Sequence, residues 1–130
     1  MIKHSKQRDA IIARLSGRTD HPTAETLYQE VKKELPNISM GTVYRNLKQL
    51  ASLDKILIVR SPFGPDRYDP IPNQHPHFFC TNCFAVLDLD VDKNKILATG
   101  QEGFKGEIQG CISSYHGLCP DCLEKLKIKN

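Results

Sequence analysis

SMGTVYRNLKQLA, residues 39–51, is the stretch that decides the fold. Ser39 is a favourable helix N-cap, because its side-chain oxygen can accept a hydrogen bond from a backbone N–H of the first turn. Behind it, apolar side chains recur at helical spacing at Val43, Leu47 and Leu50. The stretch therefore predicts a helix over residues 40–51 with one buried face. The side chains on its other faces can donate to phosphates and to base edges in a major groove: Thr42, Tyr44, Arg45, Asn46, Lys48 and Gln49.

Two further helices are predicted upstream. The first covers residues 6–16 and ends at Gly17, which is a common residue just beyond a helix. The second follows the N-cap residue Thr23 and runs to Leu35, because Pro36 cannot continue a helix. Their apolar side chains at helical spacing are Ile11, Ile12, Leu15, Leu27, Val31 and Leu35.

A β-hairpin is predicted directly after the third helix. Residues 56–60 (ILIVR) and 67–69 (RYD) favour strands, and residues 61–66 (SPFGPD) favour a turn. Three helices followed by a hairpin form a winged helix, in which the third helix enters the major groove and the hairpin, here with Arg60 and Arg67, lies near the DNA backbone. The same pattern also fits a helical module that binds protein, and both readings stay open.

Composition excludes several classes of protein. The chain has 130 residues, of which 39% are hydrophobic and 25% charged. No apolar run approaches the roughly 20 residues that span a bilayer. The N-terminal residues include no apolar segment of a secretory signal. We expect a cytoplasmic protein with no membrane span.

Charge is distributed unevenly along the chain. The formal net charge is +3, and all six arginines fall within residues 1–69, which we treat as the first half of the chain. Because the guanidinium fork suits phosphate and guanine edges, this asymmetry favours an anionic partner for that half, although it also fits a solvated basic face. The arginines are Arg8, Arg14, Arg18, Arg45, Arg60 and Arg67.

Four of the five cysteines form two Cys-x-x-Cys pairs, Cys80 with Cys83 and Cys119 with Cys122. In a cytoplasmic chain such pairs are the usual source of four thiolates around a structural zinc ion. A redox pair is the alternative, but no βαβ pattern surrounds either pair. We expect the fifth cysteine, Cys111, to be a buried strand residue and not a ligand.

The second half predicts a small α/β domain after a stiff connector that begins at Pro70. This half cannot bury both faces of its sheet alone, so we expect a homodimer. The predicted class is α+β: a winged helix-turn-helix domain at residues 1–69, a hinge at 70–76, and a zinc-stabilised dimerisation domain at 77–130. The elements predicted in the second half are strands at residues 78–79 and 84–87, a helix at 91–99 closed by Gly100, one or two strands within 104–115, and a helix at 121–127.

A second set of candidate metal ligands lies near the connector. His75 and His77 point to the same side of an extended segment. Asp69 ends the predicted hairpin, and Asp88 follows the first cysteine pair. Imidazoles with carboxylates suit Fe(II) or Mn(II) better than a soft thiolate metal. Solvated loop histidines and ordinary surface acids are the alternative.

Together these motifs resemble the ferric uptake regulator family over nearly the whole chain. The resemblance rests on HPTA at residues 21–24, SMGTVYRNL at residues 39–47, and the His75-x-His77-x-x-Cys80-x-x-Cys83 motif. It implies a metal-dependent DNA-binding repressor that binds a palindromic operator as a dimer. It also implies structural zinc at Cys80, Cys83, Cys119 and Cys122, and a regulatory Fe(II) or Mn(II) site at His21, Asp69, His75, His77 and Asp88.

Within the family, the acidic residues indicate a branch. Iron-sensing members tend to have glutamates where Asp69 and Asp88 stand, whereas peroxide-responsive members have aspartates. The chain therefore resembles the peroxide-responsive repressors. In them, iron-catalysed oxidation attacks histidine ligands at the positions matching His21 and His75, and the repressor releases its operator.

Three other functions stay open. The nearest is an iron, manganese or zinc uptake regulator of the same family without peroxide sensing. An iron enzyme with His75, His77 and one carboxylate would share the ligand chemistry, but five protein ligands leave little room for a substrate, and we expect no catalytic residue. A zinc-stabilised protein-interaction module would show no metal-dependent affinity for DNA.

Overall fold

Two units make up the chain, which a computed structural model describes over residues 5–73 and 75–129. The units are Met1–Asn73 and Gln74–Asn130, so their boundary falls inside the hinge predicted at residues 70–76. The predicted domain ranges also include residues 1–4, Gln74 and Asn130, which lie outside the described residues. No helix within the described ranges is long and apolar enough to cross a membrane.

The first unit consists of three helices and a two-stranded antiparallel hairpin. The helices are α1 (Lys6–Leu15), α2 (Ala24–Glu34) and α3 (Met40–Ser52), and the strands are β1 (Leu57–Val59) and β2 (Arg67–Asp69). The predicted helices are confirmed to within a residue at each end, and the hairpin returns at the predicted residues. This arrangement is the predicted winged helix.

Local chemistry explains where these helices begin. Thr23 and Ser39 are the N-caps of α2 and α3, and their hydroxyl oxygens accept from the backbone N–H groups of Thr26 and Thr42, each at 3.1 Å. Gly17, just beyond α1, takes the left-handed φ of 74° that glycine tolerates. The helices then bury one continuous core, whose buried members are Ala10, Ile11, Leu15, Ala24, Leu27, Val31, Ile38, Val43, Leu47, Leu50, Ile56 and Tyr68.

The second unit is a three-stranded mixed sheet with two helices. Its strands are β3 (His77–Cys80), β4 (Val86–Asp88) and β5 (Ser114–Gly117), and its helices are α4 (Lys93–Gln101) and α5 (Pro120–Lys129). The order is β4-β3-β5, with β3 antiparallel to β4 and parallel to β5. The central strand therefore carries both the hinge-proximal histidine His77 and the first zinc-ligand candidate, Cys80.

The boundaries of α4 differ from the prediction. The helix begins at Lys93 because the Asp92 carboxylate caps it, accepting from the Asn94 N–H at 2.9 Å. Gly100 was expected to close the helix, but it lies inside it. The left-handed glycine is Gly103, with a φ of 75°, three residues later.

The segment between α4 and β5 also differs from the prediction. Of residues 104–115 only Ser114 and Tyr115 belong to a strand, and Cys111 is exposed. The expectation of a buried strand cysteine is therefore wrong. The Gln101 side chain explains part of the difference: its amide donates to the carbonyls of Phe104 and Gly106, and its oxygen accepts from the Ile108 N–H. These bonds stabilise a loop where a strand was expected.

The second unit leaves much apolar surface exposed. Ile112 is 85% exposed, although it is a large aliphatic residue. The expectation that this half cannot bury its apolar surface alone agrees with the exposure of Phe84, Phe104, Ile112, Tyr115, Leu118, Leu123 and Leu126.

Candidate metal and nucleic-acid sites

The two cysteine pairs converge in the second unit. Their four sulfur atoms all lie within 4.8 Å of one another, and the Sγ atoms of Cys83 and Cys119 are 3.7 Å apart. Four sulfurs bound tetrahedrally to zinc at about 2.3 Å are separated from one another by about 3.8 Å. The four thiols therefore fit a structural zinc ion, and the sequence prediction of this cluster agrees with the geometry.

Backbone and side-chain N–H groups surround the cluster. The Sγ atom of Cys80 accepts from the N–H groups of Cys83 and Cys119, each at 3.4 Å, and that of Cys119 accepts from the Cys122 N–H at 3.5 Å. Asn82 donates its side-chain amide to the Cys122 Sγ at 3.3 Å. Such outer contacts orient metal ligands. The spacing of the cysteines gave no signal for the role of Asn82.

These contacts give the thiols of Cys80 and Cys83 different pKa values. Burial raises the pKa of Cys80, but the backbone N–H groups of Cys83, Cys119 and Asn82 stabilise its thiolate more strongly and lower the pKa to about 6. The backbone N–H of Ala85 lowers the pKa of Cys83, but burial and the neighbouring thiols prevail and raise it to about 11. Cys80 is thus deprotonated more readily than Cys83, and a bound cation would stabilise the thiolate form of Cys83 as well.

The first unit contains an imidazole–carboxylate pair. The Nε2 atom of His21 lies 3.1 Å from the Oδ2 atom of Asp69, and both side chains are almost fully buried. Asp69 ends β2, so the hairpin positions the carboxylate. Burying a charged group together with a partner that can also bind a metal is typical of ligand sites.

His21 adopts an unusual backbone conformation. Its φ is 49°, in the left-handed region, and it precedes Pro22. A guanidinium nitrogen of Arg67 donates to the His21 carbonyl at 3.2 Å, and the Tyr68 N–H donates to the Pro22 carbonyl at 3.0 Å. Arg67 was predicted to contact DNA; in the structure it is half-buried and holds the His21 backbone on β2.

The second unit also contains an imidazole–carboxylate cluster. The Oδ1 atom of Asp88 lies 3.1 Å from Nε2 of His75 and 3.5 Å from Nε2 of His77. The two rings are stacked at a tilt, with centroids 4.2 Å apart, as expected for side chains on one side of an extended segment. Asp88 faces His77 because the two residues are paired across β3 and β4. This unit therefore presents two imidazoles and a carboxylate at one point.

Both clusters offer nitrogen and oxygen donors without a thiol. Such a donor set fits Fe(II) or Mn(II). The family resemblance implies one regulatory site, formed by His21, Asp69, His75, His77 and Asp88. The structure groups His21 with Asp69 in the first unit, and His75 with His77 and Asp88 in the second.

The exposed face of α3 carries the predicted DNA-binding residues. Tyr44, Arg45 and Lys48 are exposed. Arg45 donates to the Thr42 hydroxyl at 3.1 Å, and the Asn46 side-chain amide donates to the Thr42 carbonyl at 2.8 Å. These contacts orient donors along one side of the helix. In the hairpin, exposed Arg60 forms an ion pair with Asp66 at 3.0 Å.

One arginine is committed to neighbours in the same unit. Arg18 contacts the carboxylates of Asp20 and Glu30 at 2.7 and 2.6 Å. The hydrogen bond with Asp20 raises the pKa of Arg18 above its usual range, and the same bond lowers the pKa of the Asp20 carboxyl. The clustering of arginines in the first half thus reflects internal anchoring as well as surface charge.

Comparison with known proteins identifies similar chains. The model of the ferric uptake regulator family matches residues 1–109. A ferric uptake regulation protein of Campylobacter jejuni is 29% identical over 136 residues, covering 98% of this chain and 85% of that protein. The peroxide-responsive repressor PerR of Staphylococcus saprophyticus is 30% identical over 129 residues, covering 95% of this chain and 84% of that one.

A solved structure shows the same fold. The ferric uptake regulator Fur of Helicobacter pylori, described as having three functional metal-binding sites, superposes with a TM-score of 0.83 at 20% sequence identity. The match covers 94% of this chain and 83% of that one. The winged helix and the small α/β unit therefore form an architecture already known among regulators.

Proposed function

The chain belongs to the ferric uptake regulator family, and we propose that it is a metal-dependent DNA-binding repressor of the peroxide-responsive kind, acting in the cytoplasm. The family resemblance inferred from the motifs is confirmed by this match. The observation that carries the proposal is the presence in each unit of an imidazole–carboxylate cluster that lacks thiols, with aspartate as the acid in both.

The regulatory ligands come from both units. As the family resemblance implies, His21 and Asp69 would hold the same Fe(II) or Mn(II) ion as His75, His77 and Asp88. A bound ion would then restrict the angle between the DNA-binding unit and the second unit. A coupling of about 1–3 kcal/mol between metal and DNA is enough to change operator occupancy several-fold or more.

The DNA partner is a palindromic duplex bound by a homodimer. Two-fold symmetry is the commonest way to cover an exposed apolar surface such as that of the second unit. A two-fold dimer presents two copies of α3, which meet half-sites about one helical turn apart or a multiple of it. We assign the DNA contacts to Thr42, Tyr44, Arg45, Asn46 and Lys48 on α3, with Arg60 on the hairpin. Arg67 is left out because it is half-buried and donates to the His21 carbonyl.

Peroxide sensing follows from the histidine ligands. Fe(II) held by these residues would catalyse the reaction in which hydrogen peroxide transfers one oxygen atom to the imidazole of His21 or His75. The imidazole supplies the two electrons, and the second oxygen of the peroxide leaves as water. The oxidised imidazole would be a poorer metal ligand, so the affinity of the site for the metal would fall. Mn(II) is less able to reduce peroxide, so it would support repression without peroxide sensing. The zinc thiolates, which are closed and four-coordinate, stay unreacted in comparison.

The test is DNA binding by zinc-loaded protein in four states: without added metal, with Mn(II), with anaerobic Fe(II), and with Fe(II) after micromolar peroxide. The probe is a palindromic duplex selected from random sequence by the Mn(II)-loaded protein. We expect both metals to confer binding and peroxide to abolish only the Fe(II) form. Mass spectrometry should then find a gain of about 16 Da on a peptide containing His21 or His75; a gain confined to Met40 or the cysteines contradicts the proposal.

A regulator of iron, manganese or zinc uptake without peroxide sensing is the second candidate. It is favoured by the Campylobacter jejuni ferric uptake regulation protein, which matches this chain about as well as the peroxide-responsive repressor does. The same experiment separates the two functions. Binding that requires metal but survives peroxide in the Fe(II) form assigns the protein to metal uptake.

A further inference from the structure

His21 occupies a backbone conformation that its own sequence disfavours. A φ of 49° is uncommon for a residue other than glycine, and a following proline disfavours helical backbone and biases its neighbour toward extended conformations. A residue stays in such a conformation only where surrounding contacts fix it. The loop between α1 and α2 must therefore contain the contacts that hold His21 in place.

One set of contacts attaches the loop to the hairpin. Arg67 donates to the His21 carbonyl, and the Tyr68 N–H donates to the Pro22 carbonyl. Thr23 forms an isolated antiparallel bridge with Arg67. These contacts fix the residues from His21 onward along β2, but they leave the approach to His21 from α1 unexplained.

A second set of contacts fixes that approach. The Nε and Nη2 atoms of Arg18 donate to the two carboxylate oxygens of Asp20 at 2.8 and 2.7 Å, so the residue before His21 is bound by a two-pronged contact. The Nη1 atom of the same guanidinium donates to Oε1 of Glu30, in α2, at 2.6 Å. Arg18 is largely buried, and Glu30 is partly buried. Asp20 is thus connected through one planar group to a helix of the core.

We infer that Arg18 and Glu30 are positioning residues for the metal ligand His21, because together they hold Asp20 and so fix the His21 side chain beside Asp69. The inference rests on the proposed function, in which His21 binds the regulatory metal. It assigns a task to two charged residues that touch no metal ligand directly through their side chains. It also connects the ligand to α2, which packs against α3.

The test compares Glu30→Gln with Glu34→Gln, which makes the same change of charge at an exposed position of the same helix. Titration with Mn(II), in protein that retains zinc, should show an affinity about 10-fold weaker for Glu30→Gln, the lower end of the loss typical of groups that orient metal ligands. Glu34→Gln should match the wild type. Arg18→Lys, which keeps the charge but loses the fork, should weaken Mn(II) binding similarly, and the double variant should add little to either change.

A metal-free measurement separates positioning from general stability. The imidazole nitrogen resonances of His21 should shift in Glu30→Gln and stay in place in Glu34→Gln, while the melting temperatures of both stay within a few degrees of the wild type. Unchanged His21 resonances together with an unchanged Mn(II) affinity in Glu30→Gln would overturn the inference. Failure of the wild type to bind Mn(II) would instead reject the proposed function, and the resonances would still test the positioning.

Discussion

The two units reach stability by different means. The first buries a continuous cluster of aliphatic side chains from three helices and a hairpin. In the second, the buried apolar side chains include Phe79 and Val86 as well as Cys80, Cys119 and Cys122 of the candidate zinc cluster. The partly buried side chains packed against the cysteines are Phe78, Ala85 and Leu87. Hydrophobic burial scales with apolar area, so we expect the first unit to fold from its own core and the second to depend on the proposed zinc ion.

This difference fits the proposed roles of the two units, in which the first binds DNA as a rigid body and the second responds to metal. We expect the hydrophobic core of the first unit to keep α3 in place whether or not the metal sites are filled. The second unit leaves apolar side chains exposed, which fits the proposed pairing with a second copy. The difference can be tested by substituting a zinc ligand in the second unit, or a core residue in the first, and measuring the folding of both units.

The largest effect is expected from the zinc ligands. Cys122→Ala leaves three thiols, so zinc should be lost and with it about 10 kcal/mol of folding free energy. Amide resonances of the second unit should collapse to unfolded positions, whereas those of residues 6–69 should remain dispersed. NMR spectra with zinc quantification provide the measurement.

Cys111→Ala is the matched control for this change. Cys111 is exposed and lies outside the zinc cluster, so its substitution should leave the zinc content and both sets of resonances unchanged. Collapse of the first unit in Cys122→Ala would show that its core is not self-sufficient. If the second unit stayed folded without zinc, its proposed dependence on the metal would be contradicted.

The next largest effect lies in the core of the first unit. Leu47 on α3 is 0% exposed, and Leu47→Ala should destabilise this unit by about 3 kcal/mol through lost burial and a cavity. Chemical denaturation followed by helical circular dichroism measures the change, and the zinc content should not fall. Leu53→Ala, at a position 37% exposed just beyond the same helix, should cost less than about 1 kcal/mol. Equal losses in the two variants would contradict the assignment of Leu47 to the core.

How much of this could be predicted from sequence also differs between the units. In the first, the caps Thr23 and Ser39 and the spacing of Val43, Leu47 and Leu50 placed the helices to within a residue, because local signals and burial agree there. In the second, Gly100 was misjudged as a helix end, and Cys111 as a buried strand residue. Side-chain contacts of Asp92 and Gln101 decide that segment, and periodicity does not report them.

In the candidate sites, too, the sequence predicted what local spacing determines and missed contacts between residues far apart in the chain. Spacing alone identified the four cysteines, because two Cys-x-x-Cys pairs have few other uses in such a chain. The role of Arg67 at the His21 carbonyl could not be predicted, since the two residues are far apart in sequence. The fork of Arg18 between Asp20 and Glu30 likewise required the packing of the loop on α2.

A smaller effect is expected from the apolar surface of the second unit. Ile112→Ser removes a side chain that is 85% exposed, so the unfolding of each protomer should barely change. If Ile112 is buried between two copies, the dissociation constant of the dimer should rise by at least about 10-fold, because burying such a side chain contributes about 1.5–3 kcal/mol. Sedimentation over a concentration series measures it. Ile12→Ser, at a 41% exposed position of the first unit, is the control and should leave the dimer intact; equal weakening by both variants would place the interface elsewhere.

The smallest effect tests the start of the recognition helix. The Ser39 hydroxyl accepts from the Thr42 N–H at 3.1 Å and lies 2.9 Å from the Thr42 hydroxyl, which in turn accepts from Arg45. Ser39→Ala should therefore cost about 1 kcal/mol of stability in the first unit. It should also lower DNA affinity more than that loss implies, because the Thr42 hydroxyl that accepts from Arg45 loses its own contact with Ser39. Ser52→Ala at the other end of α3 is the control. A loss of stability with unchanged DNA affinity would show that Ser39 acts only as a helix cap and does not influence the orientation of Arg45.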